Sequence, residues 1–129
     1  MKEIERIILE KEEEMVNAFN QGDIDKVLTY FDKDVICFSS TMLERIGGLE
    51  EFKNTFDYYK MQSLEIEYFI FSPIVQDFGD SAMVSFYWVV ALIEGSSRKE
   101  MNGRGSHLFV KKGDDWKIVH EHFSRAHHS

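Results

Sequence analysis

Asn102-Gly103-Arg104-Gly105-Ser106-His107-Leu108-Phe109-Val110-Lys111-Lys112-Gly113-Asp114-Asp115-Trp116-Lys117-Ile118-Val119-His120-Glu121-His122-Phe123-Ser124 decides the fold of this chain. Two β-prone runs flank a polar turn rich in Gly and Asp, which predicts an antiparallel hairpin. Three of the chain's 5 histidines lie in it, with Glu121 between His120 and His122. Register decides which of them can cooperate, because a slip of one residue turns a strand over. A three-residue loop, Gly113-Asp114-Asp115, sets Lys112 opposite Trp116, Phe109 opposite Val119, His107 opposite Glu121 and Gly105 opposite Phe123. The other face then gathers Arg104, Ser106, Leu108 and Val110 with Trp116, Ile118, His120, His122 and Ser124. A two-residue loop, Gly113-Asp114, would set His107 opposite His120 instead. The three-residue loop is preferred.

Working back from the hairpin, Ser81 to Glu94 alternates with apolar residues on both faces: Ala82, Val84, Phe86, Trp88, Val90 and Leu92 on one, Met83, Tyr87, Val89, Ala91 and Ile93 on the other. A strand apolar on both faces needs cover on both. Helices can cover one; the other predicts a homodimer through the outer face of the sheet. Leu64, Ile66, Tyr68 and Ile70 mark the preceding strand, in which Pro73 predicts a bulge or an edge position. Asp77-Phe78-Gly79-Asp80 is a hairpin turn, and Gly95 to Lys99 is a loop.

The first half of the chain has helical spacing. Ile4, Ile7, Ile8, Met15, Ala18 and Phe19 form one stripe. Glu10, Glu12, Glu13 and Glu14 read as a solvated face. Gly22 stops this helix and Asp23 caps a short second one bearing Ile24, Val27, Leu28 and Phe31. Val35 to Ser40 and Met42 to Ile46 read as strands, and Leu49, Phe52, Phe56 and Tyr59 as a third helix ending near Lys60. Helices grouped ahead of a long antiparallel meander give an α+β class, one domain over residues 1–129. A sheet that curves around its helices leaves a conical pocket.

Composition narrows the function classes. The formal net charge of -8 argues against a nucleic acid partner and against an anionic membrane surface. A single cysteine, Cys37, excludes an intrachain disulfide, and its apolar strand reads as holding an inert thiol. Charges between Met1 and Glu14 leave no apolar core for a secretion signal, so a cytoplasmic protein is expected. The 11 phenylalanines suggest a lined pocket or a buried interface.

Ala18-Phe19-Asn20-Gln21-Gly22-Asp23-Ile24-Asp25, Tyr30-Phe31-Asp32-Lys33-Asp34-Val35 and the end hairpin from Gly113 to Ser124 resemble the nuclear transport factor 2-like superfamily. Ketosteroid isomerases, SnoaL-type polyketide cyclases and scytalone dehydratase belong to it. The hairpin is similar to SnoaL-like proteins related to the association (hub) domain of calcium/calmodulin-dependent protein kinase II. The resemblance implies a cone-shaped α+β fold with a strongly curved antiparallel sheet on three helices. The isomerase base and oxyanion donor fall at Ser39 and Met15, neither of which can serve. The arginines that line the hub pocket fall at Trp88, His107 and Phe123, which removes the carboxylate clamp. In the hub domain, the positions of His107 and Phe123 both face the pocket, in keeping with the preferred register.

His107 and Glu121 are therefore the candidate acid–base pair, since a carboxylate orients an imidazole and raises its basicity. Trp88, Phe109, Phe123, Phe52 and Phe56 are the candidate pocket walls. Arg104, Trp116, His120, His122 and Ser124 are a structural or interface cluster. His120-x-His122 has spacing that a metal could use, with His127 and His128 as the remote third ligands, but no metal site and no cofactor is expected. The expected partner is a small hydrophobic molecule. The function implied is small-molecule binding, with cofactor-free isomerisation, cyclisation or dehydration as its catalytic form. A non-catalytic oligomerisation or ligand-sensing domain like the kinase hub is the alternative.

Overall fold

The computed structural model describes the backbone of residues 2–61 and 65–126, and the side chains of all of these except 58–61. The order is α1 (Glu3–Asn20), α2 (Ile24–Leu28), β1 (Phe31–Phe38), β2 (Ile46–Gly47), α3 (Leu49–Met61), β3 (Glu65–Asp77), β4 (Ser81–Glu94), β5 (Ser97–Lys112) and β6 (Asp115–Arg125). Leu64, His127 and His128, named above, lie outside the described residues, as does the side chain of Tyr59. The helices pack on a curved, unclosed six-stranded sheet of order β2-β1-β6-β5-β4-β3. The class is α+β. Among the described residues only the β1–β6 pairing is parallel; the others are antiparallel, so β3 to β6 form the expected meander.

Local signals placed most boundaries. Gly22 takes φ +78, and Asp23 caps α2 by accepting a 3.2 Å hydrogen bond from Lys26 N. At Pro73, β3 carries one residue more than β4 between Phe71 and Ile74, with Ser72 at φ 51. Three expectations fail. Phe31 opens β1 instead of closing a helix face, and its side chain is buried in the core. Of Met42 to Ile46 only Ile46 is in a strand; Leu43 is 91% exposed, because a two-residue edge strand leaves it nothing to pack on. The loop expected at Gly95 to Lys99 is a tight turn, and β5 already begins at Ser97.

The end hairpin corrects the expected register, and the correction preserves the central pair. Its turn holds two residues, with Lys112 opposite Asp115 and Lys111 opposite Trp116. Phe109 then faces Ile118, not Val119. By alternation alone His107 would meet His120. A bulge between Leu108 and Phe109 instead leaves Val119 unpaired on β6 and shifts the register by one, so that Leu108 faces His120 and His107 faces Glu121. The bulge also turns the outer part of β6 over. Trp116 and Ile118, expected beside Arg104 and His120, are 5% and 0% exposed in the core.

Candidate functional site

Beyond the bulge, β5 and β6 present Gly103, Gly105, His107, Glu121 and Phe123 to the helices. His107 Nε2 lies 2.7 Å from Glu121 Oε1. Its Nδ1 lies 2.6 Å from Glu12 Oε2 on α1. The side chains are 3% exposed for His107, 2% for Glu12 and 14% for Glu121, so solvent reaches this row from the Glu121 end. A carboxylate only accepts, so an imidazole bonded to one at each nitrogen donates twice and is an imidazolium. Burial pulls the His107 imidazole down; the charges and hydrogen bonds of Glu12 and Glu121 outweigh it and lift the group from 6.5 to about 10.

Glu12 is the correction here, because the acidic run of α1 does not form one solvated face. Glu10, Glu13 and Glu14 are exposed, whereas Glu12 is buried between Ile8 and Met15. The signal was in the spacing: the apolar stripe skips from Ile8 to Met15, and residue 12 fills the missing turn.

Aromatic rings enclose the imidazolium. Ring centres of Phe86, Phe123, Phe31 and Phe109 lie 5.3, 5.8, 5.9 and 6.2 Å from that of His107. Trp88 stacks on Phe123 at 5.7 Å, and its indole N–H donates to the Arg104 carbonyl at 2.9 Å. Tyr68 on β3 also stacks on Phe123, at 6.2 Å. The Asn20 side chain, bonding both Tyr68 N and Tyr68 O at 2.7 and 2.8 Å, fixes that strand to the end of α1. Burial, together with the charges of Glu12 and Glu121, raises the Tyr68 phenol well above its ordinary range, so it keeps its proton. The wall needs glycine at two places. A Cβ on Gly105 would lie 2.8 Å from Phe86 and 2.9 Å from Phe123, and one on Gly103 would lie 2.5 Å from Trp88.

The structure thus brings His107, Glu121, Trp88, Phe109 and Phe123 together. Phe52 and Phe56 stand one ring further out, Phe52 against Phe31 at 4.7 Å and Phe56 against Phe52 at 4.9 Å. Glu12, Tyr68, Phe31 and Phe86 complete the surroundings. His120 and His122 pack beside the Phe38 ring, and burial with the neighbouring His122 lowers the His120 imidazole. Arg104 pairs with Ser124 across the strands, as expected of that cluster; Trp116 leaves it for the core. Among the described residues no group of three His, Cys, Asp or Glu side chains could hold a metal ion. Met15 is core and Ser39 bonds Thr41 in the loop after β1. Cys37 is 1% exposed and its thiol is pushed up by burial. A cleft of about 380 Å³ is lined by Phe71, Tyr87, Trp88, Val89, Asn102, Gly103, Arg104 and Ala126, and neither His107 nor Glu121 is among its lining residues.

The charged row makes stability depend on pH. Folded His107 holds its proton to about 10, whereas an unfolded imidazole releases it near 6.5. Its contribution is complete below the lower value and is lost as pH rises through the upper one. The urea midpoint should therefore fall steadily from neutral pH toward pH about 10, with the fall ending at lower pH in Glu12→Gln. A midpoint that stays level over that range would contradict an imidazolium.

A family model described as "SnoaL-like domain" matches residues 8–127. No curated protein matches the chain. Among solved structures, the CaMKII hub of S. rosetta is 29% identical, with a TM-score of 0.77 over 94% of this chain and 95% of that one. An NTF2-like protein with a cystatin-like fold from Novosphingobium aromaticivorans is 14% identical, with a TM-score of 0.83 over 97% of this chain and 83% of that one. A structure from Catenulispora acidiphila in complex with S-DNPA is 9% identical, with a TM-score of 0.81 over 95% and 92%. The six-stranded architecture is thus the nuclear transport factor 2-like one. No helix among the described residues is long and apolar enough to cross a membrane.

Proposed function

Because this chain belongs to the SnoaL-like domain family, we propose that it binds a small hydrophobic molecule inside the cone, against Glu121. The observation that supports this reading is the buried row Glu12–His107–Glu121, of which Glu121 is the most exposed member, walled by aromatic rings. A domain that needed only a packed core would be no less stable with apolar residues in place of such a row. Its catalytic form is cofactor-free proton transfer. Both nitrogens of His107 are engaged, so the group that accepts a proton from the ligand is a Glu121 oxygen and His107 is a positioning residue. A proton taken up there and returned to a different ligand atom is an isomerisation; loss of a leaving group in between is a dehydration.

A neutral apolar dye such as Nile red should bind at about one per chain, with blue-shifted emission, and about tenfold more weakly in Trp88→Ala and Phe123→Ala. Emission no different from that of the dye in buffer would sink the reading. Once a substrate is known, Glu121→Gln should lower turnover about a hundredfold or more.

The alternative, an assembly domain, draws on the outer face. Phe69, Phe71, Ile74 and Tyr87 are 39%, 50%, 65% and 59% exposed side by side on β3 and β4. We propose a homodimer through this patch. Sedimentation should give a dimer that Tyr87→Glu dissociates; a ring larger than a dimer would favour hub-like assembly, and a monomer would remove both.

A further inference from the structure

We propose that the ligand is an apolar molecule bearing a protonated amine, its ammonium group on Glu121; this rests on the small-molecule reading above. Two carboxylates share one imidazolium, so the row carries one negative charge in excess. The ion pairs of the described lysines and arginines lie elsewhere: Arg6 with Glu3 and Glu10, Lys11 and Lys117 with Asp115, Arg98 with Glu67 and Glu100, and Lys112 with Asp32. None of the described lysines or arginines pairs with Glu12 or Glu121. A buried charge without a counter-ion is costly, so the site favours an incoming cation and disfavours a second anion.

The geometry says where the cation would sit. Glu121 Oε1 is held by His107, and Oε2 makes no hydrogen bond among the described residues. Glu121 is 14% exposed against 3% for its partner, so the unpaired oxygen belongs to the reachable end. Beside it, Phe123 is stacked between Tyr68 and Trp88, and these rings give the apolar part of the ligand a surface to lie against. The Tyr68 hydroxyl also makes no hydrogen bond among the described residues, which leaves it free to bond a second polar atom of the ligand.

Displacement of Nile red by phenethylamine, phenethyl alcohol and phenylacetate tests this. Phenethylamine should compete at least about tenfold better than the alcohol, phenylacetate should be weakest, and the amine's advantage should vanish in Glu121→Gln. The wild-type ranking decides even if that variant does not fold. Equal competition, a preference for phenylacetate, or dye that none of the three displaces overturns the inference and leaves the small-molecule reading standing. An amine preference that survives in a folded Glu121→Gln places the ammonium elsewhere and overturns it too. Absence of dye binding removes the reading and the inference together.

Discussion

Glu12→Ala is expected to destabilise the fold by about 3–5 kcal/mol, although it sits in a run of five charged side chains, Glu10 to Glu14, on a surface helix. Its Oε2 receives a 2.6 Å hydrogen bond from a histidine that is itself 3% exposed. Truncation removes one of two carboxylates holding a buried imidazolium and leaves a void between Ile8 and Met15. His107 can then stay charged at a high cost or lose its proton and one hydrogen bond. Glu13→Ala, one residue along and exposed, should change stability by no more than about 0.5 kcal/mol. Urea denaturation of the two variants side by side checks the claim, and equal midpoints would show that Glu12 is not held as described. Since domains of this size are stable by only about 5–15 kcal/mol, the Glu12 variant should be partly unfolded at warm temperature. Glu12→Gln should fall between the two: the amide oxygen can still accept from Nδ1, but the charge is gone.

Gly103→Ala should be comparably severe, at about 3 kcal/mol or more, beyond the ordinary overpacking range. Gly103 is extended, so the backbone conformation does not demand glycine. Space does: a Cβ there would overlap the Ser124 carbonyl of the paired strand and lie 2.5 Å from the Trp88 ring. A carbonyl within a ladder cannot swing away as a lysine tip could. The alternatives are to open the β5–β6 pairing near its end or to push Trp88 out of its stack on Phe123 and off its bond to the Arg104 carbonyl. Gly47→Ala is the control, because its nearest neighbour would be an Ile36 methyl at 3.9 Å. Thermal melts should separate the two variants by about ten degrees or more for a cost of this size. Similar melting temperatures would mean that the sheet accommodates the methyl.

Much of this could be read from the residues. Gly22-Asp23, the turn at Asp77 to Asp80 and Ser81 to Glu94 mark their boundaries by local chemistry, and the structure follows them. The facing of His107 and Glu121 was legible only in part. Turn length and register were inferred together, and Val119 gives no sign that it is unpaired, since it continues an apolar run. A bulge depends on what the neighbouring strands require: β1 runs alongside β6 with its own shift between Phe31 and Ile36. Glu12 was missed for a different reason. A carboxylate in an acidic run is solvated unless something 95 residues away supplies a donor, and no local pattern encodes that partner. Leu43 shows the converse: apolar in sequence, yet left in solvent because no strand among the described residues pairs beside it.

The unpaired Val119 also separates two parts of one hairpin that would otherwise have to change together. Toward the turn, Lys111 to Trp116 can gain or lose length at the tip, and the bulge is where the mismatch can be absorbed. Toward the interior, the facing of His107 and Glu121 depends on the sum of turn length and bulge, not on either alone. Deleting Val119 should therefore make the ladder continuous, with the same two-residue turn, and keep Glu121 opposite His107. The bulge acts as a register coupling between the hairpin tip and the charged row.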